Sequence, residues 1–538
     1  MPASQLPDAI VALLDPAIYP HPVERVELVQ THISFVLLAG DYVYKIKKPV
    51  DFGFLNFSTL PRRRYYCQQE VTLNQRLCPG VYLDVTQISS DGDRLRLGKP
   101  RRGERIVEYA VRMRRLPSER MMDHLLERGE LTREMVERLA ERIADFHGGS
   151  ERGPKIDRYG SPRVVAANWR ENFEQAAPFA GDCLSQWQFE VIEEYVDSFL
   201  TRNRELLRQR VRNGHIRDCH GDLRTSAICF TDDVCVYDCI EFNRRFRYSD
   251  VASEVAFLAM DLDRRGHREL AETFARRYTE RANDPGVHDL LDFYCCYRSF
   301  VRGKVAAFRL SQPEVSEAER AESVAIAEQA FHMACEYATR GRPLLLIACG
   351  LSGSGKSALA RGLAEAERLT VIASDVVRKE ISGVALTAHR RAGYSEGIYA
   401  PGVSARTYAT MLERGRECLA HGASALLDAT FLRREDRERA RSLAHEMGAL
   451  FACLECVAPE DVIVARLQAR ERDASEVSDA RVETYYAQKR AFEPVGELPE
   501  RQHVVVDMAR PLDEAVAGAR GALRQRWGRD AGRGMRDA

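Results

Sequence analysis

Eight consecutive residues, Gly350-Leu-Ser-Gly-Ser-Gly-Lys-Ser357, place glycines, a lysine and a serine at the spacing GxxxxGK[ST]. Gly350, Gly353 and Gly355 leave the backbone free to curl, so that N–H groups of the loop, including those of Ser352 and Ser354, can surround a polyphosphate. Lys356 would reach the terminal phosphates, and the Ser357 hydroxyl would offer a ligand to Mg²⁺. The chain carries nine lysines against seventy arginines. A retained lysine therefore marks a place where a compact ammonium is needed and a planar guanidinium would not fit. The apolar run Leu344–Cys349 leads into the loop, and an amphipathic helix starts with Ala358-Leu359-Ala360. Strand, loop and helix in that order are the context this pattern requires.

Further residues of the same stretch carry chemistry. Thr370–Ala373 reads as a second strand ending in Ser374-Asp375, with Arg378 one turn on. A carboxylate there can accept a proton from a hydroxyl, although Asp375 also suits a helix N-cap. Ala425–Leu427 is a third apolar strand and delivers Asp428, an acidic residue able to hold the Mg²⁺ shell. Arg466 and Arg470 lie four apart on one helical face, where a solvated charged surface is the ordinary reading.

The elements that must position these residues follow from hydrophobic periodicity. Val26–Leu37 and Tyr42–Lys48 read as two strands around the turn Ala39-Gly40-Asp41. A helix is expected from Leu60 to about Arg76, then strands at Val81–Ile88, Leu95–Gly98 and Arg105–Met113. Leu131–His147, Gln186–Val211 and Glu254–Arg276 read as amphipathic helices, with a β-rich insert at Ile216–Phe242. Asp250 and Glu254 are expected to cap the last of these helices, and His147 to end the first. From Pro343 strand and helix alternate, as in a parallel α/β sheet. The boundaries expected are 1–116 and 117–310 for two parts of one domain, 311–342 for a helical connector and 343–524 for the last domain. Residues 525–538, rich in Arg, Gly and Asp, are expected to be disordered.

Composition excludes some classes of function. A formal net charge of −1 argues against a general nucleic-acid or membrane-surface binder. No apolar run has the length of a bilayer span and no secretory leader is evident, so a cytoplasmic location is expected. Cys453 and Cys456 form a CxxC with no second pair at zinc spacing, which suggests two small apolar thiols on a buried strand.

The phosphate loop, Ser374-Asp375…Arg378, Leu426-Leu-Asp-Ala-Thr430 and the Arg466/Arg470 pair together resemble the P-loop kinases that include phage polynucleotide 5′-kinase, zeta-type toxins and gluconate kinase. The resemblance covers residues 343–510. It implies that Asp375 is the base, that Arg378 holds the substrate, and that Arg466 and Arg470 sit on a lid that approaches the transferring phosphoryl group.

In the first half, His220-Gly-Asp222 is followed by the strand Val234–Tyr237 and Asp238. Tyr42-Val-Tyr-Lys45 precedes a helix that carries Glu70, and Arg112–Pro117 lies between the β-rich and helical parts. In this order the pieces resemble the aminoglycoside phosphotransferases, which have a bilobal protein-kinase-like fold, over roughly residues 25–310. The resemblance implies that Asp222 accepts a hydroxyl proton, that Asp238 holds Mg²⁺, and that Lys45, paired with Glu70, contacts the ATP phosphates, with Lys47 as the competing candidate. The family's second metal ligand, an Asn, is replaced by Ala227, so that Ser226, Glu241 or Asn243 would have to substitute. Thr31–Ala39 also lacks the glycine-rich pattern over ATP.

The two halves together resemble bacterial proteins described as bifunctional aminoglycoside phosphotransferase/ATP-binding proteins. The fold expected is therefore α/β joined to α+β, a bilobal kinase-like domain followed by a P-loop sheet with helices on both faces. The activity expected is ATP- and Mg²⁺-dependent phosphoryl transfer to a hydroxyl of a small molecule, most securely by the C-terminal domain. Two alternatives stand beside it: a first half that only senses a nucleotide or ligand, and a nucleic-acid 5′-hydroxyl as acceptor, which the net charge disfavours.

Overall fold

The computed structural model describes residues 6–311, 315–385, 397–470 and 481–527. Of the tail expected to be disordered, residues 525–527 instead end the helix Leu512–Trp527 with Trp527 buried, and the rest lies outside the described residues from 528 onward. The chain divides into two compact units, residues 1–175 with 204–305 and residues 176–203 with 306–538.

The first unit contains a six-stranded antiparallel sheet in the order β1-β2-β3-β6-β4-β5. Its strands are β1 (Val26–Gln30), β2 (Ser34–Ala39), β3 (Tyr42–Lys47), β4 (Tyr82–Ser90), β5 (Leu95–Leu97) and β6 (Arg105–Arg114). The run Val26–Leu37, expected as one strand, is therefore two. Thr31 turns the chain: its Oγ1 accepts the Ser34 N–H at 2.9 Å, and its own N–H donates to the Ser34 carbonyl at 2.9 Å. The helix Leu60–Asn74 packs on β4 and β6, burying Cys67 and Val71 with Tyr82, Tyr109 and Val111. The opposite face is covered by Ile10, Leu13 and Tyr19 against Phe35, Leu37, Tyr44 and Ile46.

The rest of this unit is mainly helical, with β7 (Ile216–Asp218), β8 (Ile228–Phe230), β9 (Val234–Val236) and β10 (Tyr248–Asp250) forming two short antiparallel pairs, β7 with β10 and β8 with β9. Two helices expected to be continuous are broken. Gln186–Arg202, which belongs to the second unit, ends at Asn203 before Arg204–Arg212 begins. Val251–Arg264 is separated from Arg268–Ala282 by Gly266 at φ 86°, a backbone conformation that other residues resist. Both runs carried an unbroken apolar period, which did not mark the turn.

The second unit is built on a five-stranded parallel sheet in the order β12-β13-β11-β14-β15. Its strands are β11 (Leu344–Cys349), β12 (Thr370–Ala373), β13 (Ala425–Asp428), β14 (Leu450–Val457) and β15 (His503–Asp507). β11, at the centre, is buried at every position, as a strand covered on both faces must be. Leu345, Ile347 and Cys349 share one face with Met411 and Leu419 of the helix Pro401–Ala420 and Leu443 of Arg434–Met447. Helix Lys356–Glu367 packs against Leu512–Trp527, where a Cβ on Gly362 would come within 2.7 Å of Val516. The segment expected as a connector carries the helix Glu317–Thr339, which packs on Gln186–Arg202 within this unit. Cys453 and Cys456 are buried in β14, and burial pushes the Cys456 thiol up to about 12.

Candidate functional site

In the second unit the sheet register collects the candidate residues at one edge. Asp428 of β13 is paired with Ala348 of β11 and with Ala373 of β12. The chain then leaves β11 at Gly350 and β12 at Ser374-Asp375, on either side of the buried Asp428. Open parallel sheets place ligands outside such carboxyl ends.

The glycines of the loop are there for stated reasons. Gly350, Gly353 and Gly355 have φ values of 135°, 81° and 99°. A Cβ on Gly350 would lie 2.6 Å from the Cys456 carbonyl oxygen, and one on Gly353 would lie 2.9 Å from Ile463. Gly355 caps the helix Lys356–Glu367, so the loop amides and the helix N-terminus point to one place. The Gly350 N–H donates to the Thr430 carbonyl at 3.1 Å, and the Ser352 N–H donates to Gln488 Oε1 at 2.8 Å. Ser354 and Lys356 are buried, and Lys356 Nζ donates to the Leu351 carbonyl at 2.8 Å, curled back over the loop. Ser357 follows it at the second position of the helix. The oxygen donors of Ser357 and Asp428 are of the kind that Mg²⁺ takes.

Asp375 lies in the first turn of the helix Ser374–Ile381, whose N-cap is Ala373. Ala373 makes no side-chain cap hydrogen bond, so Asp375, two positions into the helix, is not the N-cap residue the sequence also allowed. Arg378 is buried, donates to Ser404 Oγ at 3.1 Å and to the Ile398 carbonyl at 3.3 Å, and lies 4.8 Å from the Tyr399 ring. Arg466 donates to the Met508 carbonyl at 2.7 Å, and Met508 also faces Gly355, so Arg466 stands beside the loop. Its helix, Glu460–Arg470, ends at Arg470, whose side chain lies outside the described residues.

Arg437, which no sequence pattern singled out, organises the loop after β13. It is wholly buried and ion-paired to Glu497 at 2.5 Å, and it donates to the Phe431 carbonyl at 2.9 Å. Phe431 has φ 43°, and its N–H donates to the Tyr408 hydroxyl at 3.0 Å. As one arginine among seventy, Arg437 carried no signal.

A second constellation lies in the first unit. Lys45 and Lys47 project from the same face of β3, and Glu70 takes both, at 2.8 Å and 2.6 Å. Lys45 also reaches Asp238 at 2.6 Å, whereas Lys47 completes its pairing with Glu241 and lies 4.8 Å from the Phe57 ring. Lys47 is closed off from solvent, and Lys45 is the one turned to Asp238. The Lys45 ammonium holds the Asp238 carboxyl down at about 2. Asp238 has φ 64°, rare for a residue with a Cβ and of the kind that clusters at functional sites. Its N–H donates to the Tyr82 hydroxyl at 3.1 Å.

Asp222 follows His220, whose ring faces the Tyr237 carbonyl through Nε2 at 3.0 Å and the Asp222 N–H through Nδ1 at 3.4 Å. Burial lowers the His220 pKa, and the contact with the Tyr237 carbonyl calls for a proton on Nε2. Arg224 donates to Asp222 at 2.9 Å. Glu254 does not cap its helix as expected; Asp250 does, accepting the Ala252 N–H at 2.9 Å. Glu254 instead accepts the backbone N–H groups of His220 and Gly221 and pairs with His147 Nε2 at 2.8 Å. Burial would raise its carboxyl, but the bond from His147 and the charges and amide beside it hold it at about 2. His147, Cys219 and Glu254 bring possible metal-ligand atoms within 4.8 Å of one another. Glu254 is already saturated, however, and burial keeps the Cys219 thiol protonated, so the cluster anchors the 220–222 loop.

Ala227 is buried and offers no ligand atom. Of the proposed substitutes, Glu241 is committed to Lys47, and Asn243 caps the helix Arg244–Arg247 while donating to the Phe54 carbonyl at 3.1 Å. Arg76, also unforeseen, donates to the carbonyls of Asp218 and Cys219 at 3.0 Å each and so ties the Leu60–Asn74 helix region to the same loop. Cys78 and Cys235 form a disulfide that nothing in their spacing announces. Among the described residues no helix is long and apolar enough to cross a membrane.

Residues 345–495 match the family model described as an AAA domain. Solved structures that match part of the chain include a sugar kinase from Janibacter sp. HTCC2649, which is 20% identical (34% of this chain, 94% of that one, TM-score 0.26). A gluconokinase from Sinorhizobium meliloti 1021 is 24% identical (35% and 95%, TM-score 0.26), and shikimate kinase from Aquifex aeolicus is 13% identical (34% and 96%, TM-score 0.22). Over a far longer span, the uncharacterized proteins Rv2004c of Mycobacterium tuberculosis H37Rv and Mb2027c of Mycobacterium bovis are 32% identical over 454 residues, 84% of this chain and 88% of theirs. That span is longer than either compact unit, so the joining of the two units is shared. The chain belongs to the protein family of these mycobacterial proteins and carries the AAA domain at residues 345–495 within it.

Proposed function

We propose that the second unit is a kinase that transfers the γ-phosphoryl group of ATP to a hydroxyl of a small molecule. The observation that carries this reading is the shared strand edge, where the phosphate loop, Asp428 and Asp375 leave three adjacent strands. The loop amides and Lys356 bind the β- and γ-phosphates, and Ser357 and Asp428 would hold Mg²⁺, which when bound neutralises phosphate charge. Asp375 takes the proton of the acceptor hydroxyl, and Arg378 orients the acceptor. Arg466 stands beside the loop to stabilise charge on the transferring group.

The test is Mg²⁺-dependent ATP turnover with a panel of small alcohols and an oligonucleotide as acceptors. Asp375→Asn should lower turnover by about 10²-fold or more while ATP binding persists. Acceptor-dependent turnover that is unchanged in Asp375→Asn would remove Asp375 from the role. A 5′-hydroxyl acceptor would show itself by oligonucleotide binding that weakens steeply with salt.

A second reading concerns the first unit, favoured by the Lys45–Glu70 and Lys45–Asp238 pairs beside Asp222. It is an aminoglycoside phosphotransferase-like site in which Lys45 contacts ATP phosphates, Asp238 would hold Mg²⁺ and Asp222 accepts the proton. The missing ligand at Ala227 makes a nucleotide-sensing module its rival. Product formation that is lost in Asp222→Ala decides for catalysis, and ATP binding without such turnover decides for sensing.

A further inference from the structure

We infer that the acceptor of the first unit is an alcohol bearing an oxyanion, a phosphate or a carboxylate, held by Arg224, Arg264 and Arg302. The inference rests on reading Asp222 as the base of a phosphotransferase site.

The geometry starts at Asp261, near the end of the helix Val251–Arg264. Asp261 Oδ2 accepts the Thr225 hydroxyl at 2.6 Å and the Thr225 N–H at 3.1 Å, which fixes it to the loop that carries Asp222. Its Oδ1 accepts from Arg264 at 2.9 Å, and Arg265 lies 3.8 Å from Oδ2. The helix Gly286–Phe308 runs alongside. Cys295 donates to the Ala256 carbonyl at 3.5 Å, and Arg298 lies 4.6 Å from the Phe257 ring. One turn beyond Arg298 on this helix lies Arg302, which feels the charges of Arg264, Asp261, Arg224 and Arg265.

Arg302 Nε is shielded from solvent and has no hydrogen-bond acceptor, and the same holds for Arg265 Nε. Arg224, paired with Asp222 at 2.9 Å, closes the row on the side of the reacting hydroxyl. Arg264 and Arg265 thus meet on the Asp261 carboxylate, with Arg224 and Arg302 close enough to act on it through their charges. Burial, and after it the charge of Arg264, disfavours the charged form of Arg302; Asp261 opposes this, and Arg224 and Arg265 add to it. A partly dehydrated arginine crowded by others is relieved by an incoming oxyanion, which Arg binds through two parallel N–H bonds. The site is wrong in sign for a polycationic aminoglycoside.

In the transfer step the acceptor oxygen forms a bond to the γ-phosphorus of ATP as the bond from that phosphorus to the β,γ-bridging oxygen breaks. ADP leaves with the electron pair, and the hydroxyl proton passes to the Asp222 carboxylate. The arginines hold the acceptor's own anionic group and take no part in the bond exchange.

The experiment uses the full chain carrying Lys356→Ala, which silences the second unit, with and without Asp222→Ala. Ribose 5-phosphate, gluconate, ribose and glucosamine are offered as acceptors. The expected result is Asp222-dependent product with ribose 5-phosphate or gluconate at kcat/KM at least about tenfold above ribose and glucosamine. Which of the two is used separates phosphate from carboxylate. Arg302→Gln should raise KM for that acceptor about tenfold, leave KM for ATP within about twofold, and be partly rescued by Arg302→Lys. Preference for ribose or glucosamine, or an unmoved acceptor KM in Arg302→Gln, overturns the oxyanion site while leaving the phosphotransferase reading intact. Absence of Asp222-dependent product with every acceptor overturns the phosphotransferase reading, and the oxyanion site falls with it.

Discussion

The two units build their candidate sites by opposite means. In the second, backbone does the work: three glycines at positive φ, a helix N-terminus and amides turned into one loop. In the first, charged side chains do it, with Glu70 between Lys45 and Lys47, Asp238 on Lys45, and Glu254 gathering the amides of the 220–222 loop. A backbone cradle tolerates changes of side chain but no added Cβ. A buried ion-pair network tolerates small shifts of backbone but no unpaired charge.

The largest effect is expected at Glu70, which is fully buried and shared by two lysines. Glu70→Gln should destabilise the first unit by about 3–5 kcal/mol, because two ammonium groups lose a common counter-charge. Denaturant unfolding of the intact chain, followed by probes in each unit, should show the first transition shifted and the second in place. A shift of less than about 1 kcal/mol would mean that charge pairing does not hold this unit.

Gly350→Ala tests the other side of the contrast. A Cβ would lie 2.6 Å from the Cys456 carbonyl oxygen at a φ of 135°. The strain of such backbone is about 1–3 kcal/mol before the clash is counted, and ATP affinity should fall by more than tenfold. Ser352→Ala, which keeps its backbone N–H, should leave ATP affinity within about threefold of wild type. If the serine change proves the worse of the two, the loop is not a backbone cradle.

A smaller effect is expected in acid. The Glu254 carboxyl is held at about 2 in the folded chain, against about 4.3 when unfolded. Its contribution is complete above the unfolded value and is lost as pH falls through about 2. Between pH 5 and 2 the stability of the first unit should therefore fall more steeply in wild type than in Glu254→Gln, by up to about 1.4 kcal/mol per pH unit for the one proton. Parallel pH profiles would show that Glu254 is not the anchor of the loop.

The same contrast explains what could be read in the sequence. The phosphate loop is eight adjacent residues, and the strand ends that carry Asp375 and Asp428 follow from apolar runs, so local pattern was enough. In the first unit Lys45 and Asp238 are 193 residues apart. That they belong to one site could be expected only through resemblance to a family, while their direct pairing, and the choice of Lys45 over Lys47, needed the partners to be seen. Glu254, Arg437 and Arg302 stayed hidden because an acidic residue near a helix start and an arginine in an arginine-rich chain look like surface. The breaks at Thr31, Asn203 and Gly266 were missed where an apolar period ran on across a turn.

The most direct test is ATP turnover by the intact protein, Lys356→Ala and Asp222→Ala, with Mg²⁺ and pooled small alcohols. The expected result is that Lys356→Ala lowers acceptor-dependent turnover by about 10²-fold or more, because the ammonium at the γ-phosphate is lost. Whatever turnover remains should then disappear with Asp222→Ala. Turnover that is undiminished in Lys356→Ala would contradict the claim that the glycine-built loop of the second unit is the principal site of phosphoryl transfer.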